Sequence, residues 1–507
     1  MADPAQVPVV IGVGDIRSGR SGAPADPREP LDLIAEAVDA ALADTGVGGV
    51  SARIDSISAV KTASWAYDEL PALLGERLGA AQPRTFTSPI GGHWPAALLD
   101  RIGHEIAEGT STVSLLVGGE AQASVTALMK SGTDPGSQGW LAAPGGPPSF
   151  DPDELGSTAM QRAGMIVPTR VYPLFENRLA YELGQSPHES LERSARMYSE
   201  FSEVAAQHPV AWSPVARTTE DIATVGPKNR LVCEPYPLAL NAMPFVDQAA
   251  AVIVCSLSAA RELGVDENKI IYLWGGAGAT DTPDVLGRAE FGRSPAMASA
   301  VARTLAQADV QGTDLDIIDA YSCFPVVPKL LLRELGLPDD TVPSVLGGHS
   351  FFGGPLNSYT LHAIAQTTRL LRERTAGDLA LVHGNGGYLT YQHTVLLSSR
   401  PHGDGYVGNP DAEILDLPAP PLVNDYEGEA EVVTATVEYG RDGLPAMGLL
   451  IATIADGRRI AGYTDAEGAA ALARLTDPNS RSVVGAAVRI ADRGGLLTVS
   501  LQEEATA

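Results

Sequence analysis

Three glycine-rich segments in the second half of the chain carry most of the side chains that could do chemistry. They are Tyr321-Ser322-Cys323-Phe324-Pro325, Gly347-Gly348-His349-Ser350-Phe351-Phe352-Gly353-Gly354-Pro355 and His383-Gly384-Asn385-Gly386-Gly387-Tyr388. An imidazole titrates near neutral pH, so His383 could take and return a proton without a large pKa shift. It could equally hold its glycine turn through hydrogen bonds. Tyr321 is a phenol of unperturbed pKa about 10, a poor base that can still donate a proton or a hydrogen bond to an enolate. Cys323 reads as a small buried hydrophobe. His349 and His93 flank the turns, where each could bind a substrate carbonyl or cap a helix, and the cap is the preferred reading. Ser88 lies upstream without an evident base.

The elements that hold these groups repeat. A buried strand is predicted at Val9–Val13, a helix from about Pro30 to Leu42 and a strand at Ile54–Val60. The order returns as a strand at Lys269–Trp274, a glycine-rich loop, a helix from about Ser294 to Ala308 and a strand at Leu315–Ala320. Two strand-helix-strand halves imply an α/β fold of two packed, parallel-type sheets with helices between and outside them. Gly91-Gly92-His93-Trp94 opens an apolar helix (Pro95–Ile106) leading to a strand at Val113–Val117, while Pro355–Leu371 leads to Leu379–Val382 and His383. Both helices would aim their unpaired N–H groups at one crevice. Gly275-Gly276-Ala277-Gly278 reads as a strand-to-helix loop rather than a dinucleotide-binding turn.

The expected domains are 1–265, containing a Pro-rich insertion at about 121–237 that is helical in patches; 266–400; a linker at 401–426; and 427–507. The insertion's clearest helix is Glu189–Ala206, and its Tyr172-Pro173-Leu174-Phe175-Glu176-Asn177 reads as a packing anchor. Alternating runs after Glu427, separated by Asp-Gly and Asn-Ser turns, predict a small antiparallel β-barrel of the oligonucleotide/oligosaccharide-binding type. A net charge of -27 argues against a nucleic-acid surface, and any site for a polyanion must gather its few Lys and Arg locally. Three cysteines without metal-binding spacing fit a reducing compartment, and no run approaches the ~20 apolar residues of a membrane span. Cytoplasmic is the expected location.

The order and spacing of the three segments, with Asp247-Gln248-Ala249-Ala250-Ala251, resemble the thiolase superfamily over roughly Val9–Arg400. Tyr-Ser-Cys-Phe-Pro, Phe-Phe-Gly-Gly-Pro and the extra barrel resemble its thiolase-like type 1 group. The resemblance implies a layered αβαβα thiolase fold, an insertion that shapes a coenzyme A pocket, and a coenzyme A thioester as substrate or ligand. It implies no covalently bound cofactor and no metal, and a monomer or homodimer.

The catalytic letters differ. The cysteine nucleophile, which a thiolase places at a helix N-terminus, falls on Gly91 or Gly92; its activating histidine falls on Gly354; the acid/base cysteine is replaced by His383 and the intervening asparagine or histidine by Tyr321. The implied site is therefore His383, Tyr321 and Tyr359 as polar groups. Gly91, Gly92, Gly354, Gly386 and Gly387 would supply backbone donors, and His349, Asn385 and Cys323 would meet substrate. The acyl-enzyme route is lost. Carbon-carbon chemistry of the acyltransferase or retro-aldol type without an acyl-cysteine is the leading expectation, and a non-catalytic acyl-CoA-binding or scaffold protein is its rival.

Overall fold

A computed structural model describes residues 2–19, 26–141, 156–374 and 377–501. The first half runs β1 (Pro8–Arg17), α1 (Pro30–Asp44), β2 (Ser56–Ala59), α2 (Leu70–Leu78), β3 (Arg84–Thr87), α3 (Trp94–Ala107) and β4 (Val113–Ala121). An insertion follows, with α4 (Gln122–Ser131), α5 (Thr158–Arg162), α6 (Pro168–Glu182), α7 (Pro187–Gln207), α8 (Thr219–Ala223), β5 (Leu231–Cys233) and β6 (Tyr236–Pro237). Residues 142–155 of the expected insertion lie outside the described residues. The half closes with β7 (Asp247–Ser256) and α9 (Leu257–Leu263). Its strand order is β3-β2-β4-β7-β1.

The second half repeats the plan: β8 (Ile271–Thr280), α10 (Pro295–Gln307), β9 (Ile317–Asp319), α11 (Val326–Leu335), α12 (Tyr359–Glu373), β10 (Leu379–Gly386) and β11 (Tyr391–Ser398), in the strand order β8-β11-β10-β9. The two sheets join where Val9 and Val10 of β1 meet Tyr272 and Ile271 of β8. Helices α3 and α12 touch each other and strands of both sheets, while α1 and α10 cover the outer faces. This is the layered αβαβα arrangement. Strands β4, β7 and β10 are buried along their whole length, which is why they read as unbroken apolar or small-residue runs.

The sheets are mixed rather than parallel: β2 is parallel to β3 and β4, but β7 is antiparallel to β4 and β1, and β11 to β10 and β8. A buried apolar run carries no sign of strand direction. Gly275–Gly278 is not a loop either, because β8 continues through it. A Cβ on Gly276 or Gly275 would strike Thr394 O or the Gly408 backbone, so the glycines answer to close backbone approach. The crossing segment comes from the expected linker, which forms β12 (Asn409–Ile414) and pairs with β8.

The C-terminal strands are β13 (Glu427–Tyr439), β14 (Pro445–Ile454), β15 (Arg459–Tyr463), β16 (Ala487–Arg493) and β17 (Leu496–Leu501), with α13 (Ala466–Leu475) between β15 and β16. They close a five-stranded barrel in the order β14-β15-β17-β16-β13, with β13 returning to β14. All neighbours are antiparallel except β15 and β17. Helix α13 departs from the expected all-strand reading; Asp465 caps it by accepting from Gly468 N. At Glu438, β13 also pairs with Cys233 of β5, which extends the barrel sheet into the insertion.

Candidate functional site

Gly91 and Gly92 lead into α3. Gly91 has φ +151°, and its N–H donates to Asn357 Oδ1 at 3.0 Å. Asn357 Nδ2 donates to Lys61 O (2.9 Å) and Thr360 Oγ1 to Gly92 O (3.2 Å), so α12 and its preceding turn brace this entry. A Cβ at Gly92 would lie within 3.0 Å of the Tyr321 hydroxyl and 2.6 Å from Asn385 O. The space a side chain would need at this helix end is filled by the Tyr321 phenol. Tyr321 Oη donates to Leu356 O at 3.2 Å, and burial pushes its pKa well above the ordinary phenol value. Ser88 Oγ accepts from Lys61 N (3.0 Å) and donates to Pro89 O (2.8 Å), a loop tie.

Tyr321 belongs to an aromatic cluster. His349 stacks on Tyr359 with ring centroids 3.6 Å apart and meets Tyr321 at 4.3 Å. His349 Nδ1 lies 3.5 Å from Ser322 Oγ, its Nε2 has no partner, and burial depresses its pKa well below the usual value. His349 sits in a π-helical turn, Gly348–Phe352, and His93 stands at the α3 N-cap without bonding the helix through its side chain. Neither histidine caps a helix, contrary to the sequence reading. His93 instead stacks on Tyr391 at 5.1 Å, next to Gly384 and Gly386, where any Cβ would strike it. The Gly354 N–H donates to Met243 O (2.8 Å) and is spent within the protein.

His383 belongs to a different cluster. Residues 383–386 continue β10 rather than forming a turn, so side chains alternate between faces. Gly384 and Gly386 face His93 and α3, whereas His383 and Asn385 face the other side. His383 Nε2 donates to Gln392 Oε1 (2.7 Å), Gln392 Nε2 to Asn385 Oδ1 (2.6 Å), Asn385 Nδ2 to Tyr172 Oη (2.9 Å) and Tyr172 Oη to Gly387 O (2.7 Å). Burial lowers the His383 pKa to about 4, so the ring is neutral at pH 7, and its Nδ1 has no partner. Cys323 Sγ is 3.9 Å from Asn385 Nδ2, and burial pushes its thiol up to about 12. Tyr321, Tyr359, His349 and Gly354 are thus gathered in one group and His383, Asn385, Cys323 and Gly387 in an adjoining one, with Gly92 between them against both the Tyr321 hydroxyl and Asn385 O. Tyr172 and Gln392, which complete the second set, carry no local sequence signal beyond the packing motif around Tyr172.

A cleft of about 690 Å³ opens beside the first cluster, between α4, the chain around Trp212–Arg217 and Lys228–Phe245, and the turn residues Ser350 and Phe351. Helix α4 lines it with Ala123, Thr126, Ala127 and Lys130, one face at helical spacing. Lys130, Arg217 and Lys228 line it and no carboxylate does, and none of the three forms an ion pair among the described residues. Trp212 and Phe245 add aromatic surface. The turn seals its inner end: Trp212 N donates to Phe352 O (2.7 Å), Ser213 N to Phe351 O (3.0 Å) and Met243 N to His349 O (3.0 Å). Among the described residues there is no cluster of three or more potential metal ligands, and no helix is long and apolar enough to cross a membrane.

The profile of the thiolase-like protein type 1 additional C-terminal domain matches residues 411–494. A crystal structure of a monomeric SCP2-thiolase-like protein type 1 from Mycobacterium smegmatis superposes with a TM-score of 0.81 at 28% identity, covering 99% of this chain and 100% of that one. An Ltp2–ChsH2(DUF35) aldolase structure superposes at TM-score 0.59 and 20% identity, covering 78% of this chain and 99% of that one. An acetyl-CoA acetyltransferase of Methanocaldococcus jannaschii is 30% identical over 33% of this chain; the match spans 40% of that protein's length. The layered fold is that of the SCP2-thiolase-like structure, and the relative matched in sequence is named an acetyl-CoA acetyltransferase. The added barrel matches the type 1 additional domain, and the chain is similar over its whole length to a thiolase-like protein of type 1.

Proposed function

We propose that this protein binds a coenzyme A thioester in the cationic cleft and does not pass through an acyl-cysteine. The observation that carries the reading is the convergence of Lys130, Arg217 and Lys228, with no carboxylate in the lining, on one concave site of a chain with net charge -27. A cleft lined by one sign of charge concentrates the opposite sign, and a nucleotide phosphate has it. The filled space at Gly92 supports the second half of the reading, because no nucleophile and no acyl group have room there.

Binding rather than turnover is the better supported role. Burial makes His383 a weak base, its lone pair confined to the enclosed, unpartnered Nδ1, and Tyr321 holds its proton, so neither is a strong base at neutral pH in this arrangement. Retro-aldol cleavage is the second reading. It is favoured by the Tyr321 hydroxyl standing at the α3 N-terminus, and it requires that hydroxyl to leave Leu356 O and the filled space at Gly92 to open before it donates to an enolate oxygen. The protein is read as a monomer of 52.8 kDa in the cytoplasm, which light scattering tests for mass.

Isothermal titration with coenzyme A and with its analogue lacking the 3′-phosphate, each at two salt concentrations, tests the binding reading. Salt-sensitive binding that weakens without the 3′-phosphate is expected; equal silence from both ligands refutes it. Mass-spectrometric assay of 3-ketoacyl-CoA with coenzyme A, and of a branched 3-hydroxyacyl-CoA alone, separates the two roles. No cleavage is expected, and cleavage of the hydroxy substrate abolished by Tyr321→Phe replaces the first reading with the second.

A further inference from the structure

Arg459, at the start of β15, is almost fully buried. Its guanidinium donates to the carbonyl oxygens of Leu286 (2.7 Å) and Arg288 (2.6 Å) and lies over the Phe291 ring, 5.3 Å from the centroid. Among the described residues no carboxylate stands within ion-pair distance of it. Burying a guanidinium against carbonyls alone is unfavourable unless its geometry is put to use. Arg288, also buried, donates from Nη2 to Tyr388 O (3.2 Å) and Thr390 Oγ1 (3.0 Å), and its Nε donates to Thr282 O (3.0 Å). Asp281 pairs with it at 3.3 Å. Tyr388 and Thr390 form the turn that joins β10 to β11. A continuous chain of hydrogen bonds therefore runs from the barrel to the third glycine-rich segment.

A second route reaches the same turn. Thr434 Oγ1 of β13 donates to Leu174 O (2.6 Å), and Asn177 Nδ2 donates to Ala435 O (2.8 Å), which fixes α6 on the barrel. Tyr172 of α6 then donates to Gly387 O and receives Asn385 Nδ2. The turn is gripped from both sides by groups that also touch the barrel, Arg288 through Arg459 and Tyr172 through the α6 contacts.

We propose that the C-terminal barrel is a built-in subunit that positions the Gly387–Thr390 turn, and with it the His383–Gln392–Asn385 chain, with Arg459 and Arg288 as the positioning residues. The coupling goes beyond the ligand reading and stands whatever occupies the cleft. The core holds the turn through Asp281 N, which donates to Thr390 O at 2.9 Å, and the barrel adds a second reference through Arg459 and Arg288.

The test is Arg459→Met in the full chain, read by amide hydrogen exchange and by the ring N–H resonance of ¹⁵N-labelled His383. Arg459→Met removes two charge-assisted hydrogen bonds, and exchange at Gly387–Thr390 should rise at least about tenfold while Leu450 and Ile451 in β14 stay protected. The His383 Nε2–H signal should broaden or shift. Arg459→Lys, able to reach one carbonyl, should fall between wild type and Met. Unchanged exchange at the turn, or an equal rise at Leu450 and Ile451, overturns the proposal. Should Arg459→Met fail to fold, Arg288→Lys carries the test: a loosened turn beneath an intact barrel supports it, and an unchanged turn refutes it.

Discussion

Two regions meet at the π-turn Gly348–Phe352 and differ in every physical respect. On its inner side Tyr321, His349 and Tyr359 pack ring against ring, buried and uncharged, with a phenol where a nucleophile would need room. On its outer side the cleft is open, aromatic at Trp212 and Phe245, and cationic at Lys130, Arg217 and Lys228. The inner side is closed, while the outer side presents an open surface of a charge suited to a polyanionic ligand. The two sides rest on separate groups, so each can be disturbed without the other.

The largest effect should come from the joint that carries the cleft. Lys329 of α11 donates to Glu176 of α6 at 2.5 Å and to Ser194 of α7 at 2.7 Å; Glu176 also receives Ser190 (2.7 Å) and Tyr236 (2.8 Å), all in the interior. This ties the insertion to the second half. Lys329→Met leaves a buried carboxylate without its partner and should lower unfolding free energy by about 3–5 kcal/mol in urea titration. Lys329→Met combined with Glu176→Leu should recover most of that loss. A single substitution without effect would mean the insertion is anchored elsewhere.

Next in size is the cleft. Replacing Lys130, Arg217 and Lys228 together by alanine should weaken coenzyme A binding about 10- to 100-fold, because each exposed cation contributes about 0.5–1 kcal/mol. Thermal stability should barely move, since none of the three supports the core. The same triple variant should erase the salt dependence of binding. Retained affinity would place the ligand outside the cleft.

Local patterning revealed much of the scaffold and little of the site. The apolar run of β1, the Ser186–Glu189 capping box that opens α7 and the alternation of β13 to β17 are written in neighbouring residues. Helix α13 was missed because its alanine-rich stretch sits among strand-like runs. His383-Gly384-Asn385-Gly386 looks like a turn, yet it is strand, and that misreading concealed which face His383 takes. The cleft is illegible for another reason: Lys130, Arg217 and Lys228 come from separate elements of the insertion, and no spacing in sequence brings them together.

A smaller effect tests the closed side. Gly92→Ala would drive a methyl group into the Tyr321 phenol and Asn385 O, and should destabilise by about 1–2 kcal/mol, the usual range for overpacking. Combining it with Tyr321→Ala should give a loss smaller than the sum of the two singles, since the larger hole accepts the methyl. Additive losses would show that Tyr321 does not fill that space in solution.

The smallest effect is in pH. His383 stays neutral in the folded protein down to about 4, whereas an unfolded chain protonates it near 6.5. Below 6.5 the unfolded state binds the extra proton, so stability is complete above that pH and is lost as pH falls toward 4, where both states become protonated. Between pH 7 and pH 6 the loss from this one residue is about 0.7 kcal/mol. His208, lowered by burial to about 4, adds a loss of the same sign that wild type and variant share. His383→Gln can still donate to Gln392 and carries no titrating group, so it should flatten urea-derived stability by about 0.7 kcal/mol over that interval. An unaltered slope would mean that His383 is hydrated or charged, and the closed side would then have to be redrawn as one that admits a proton.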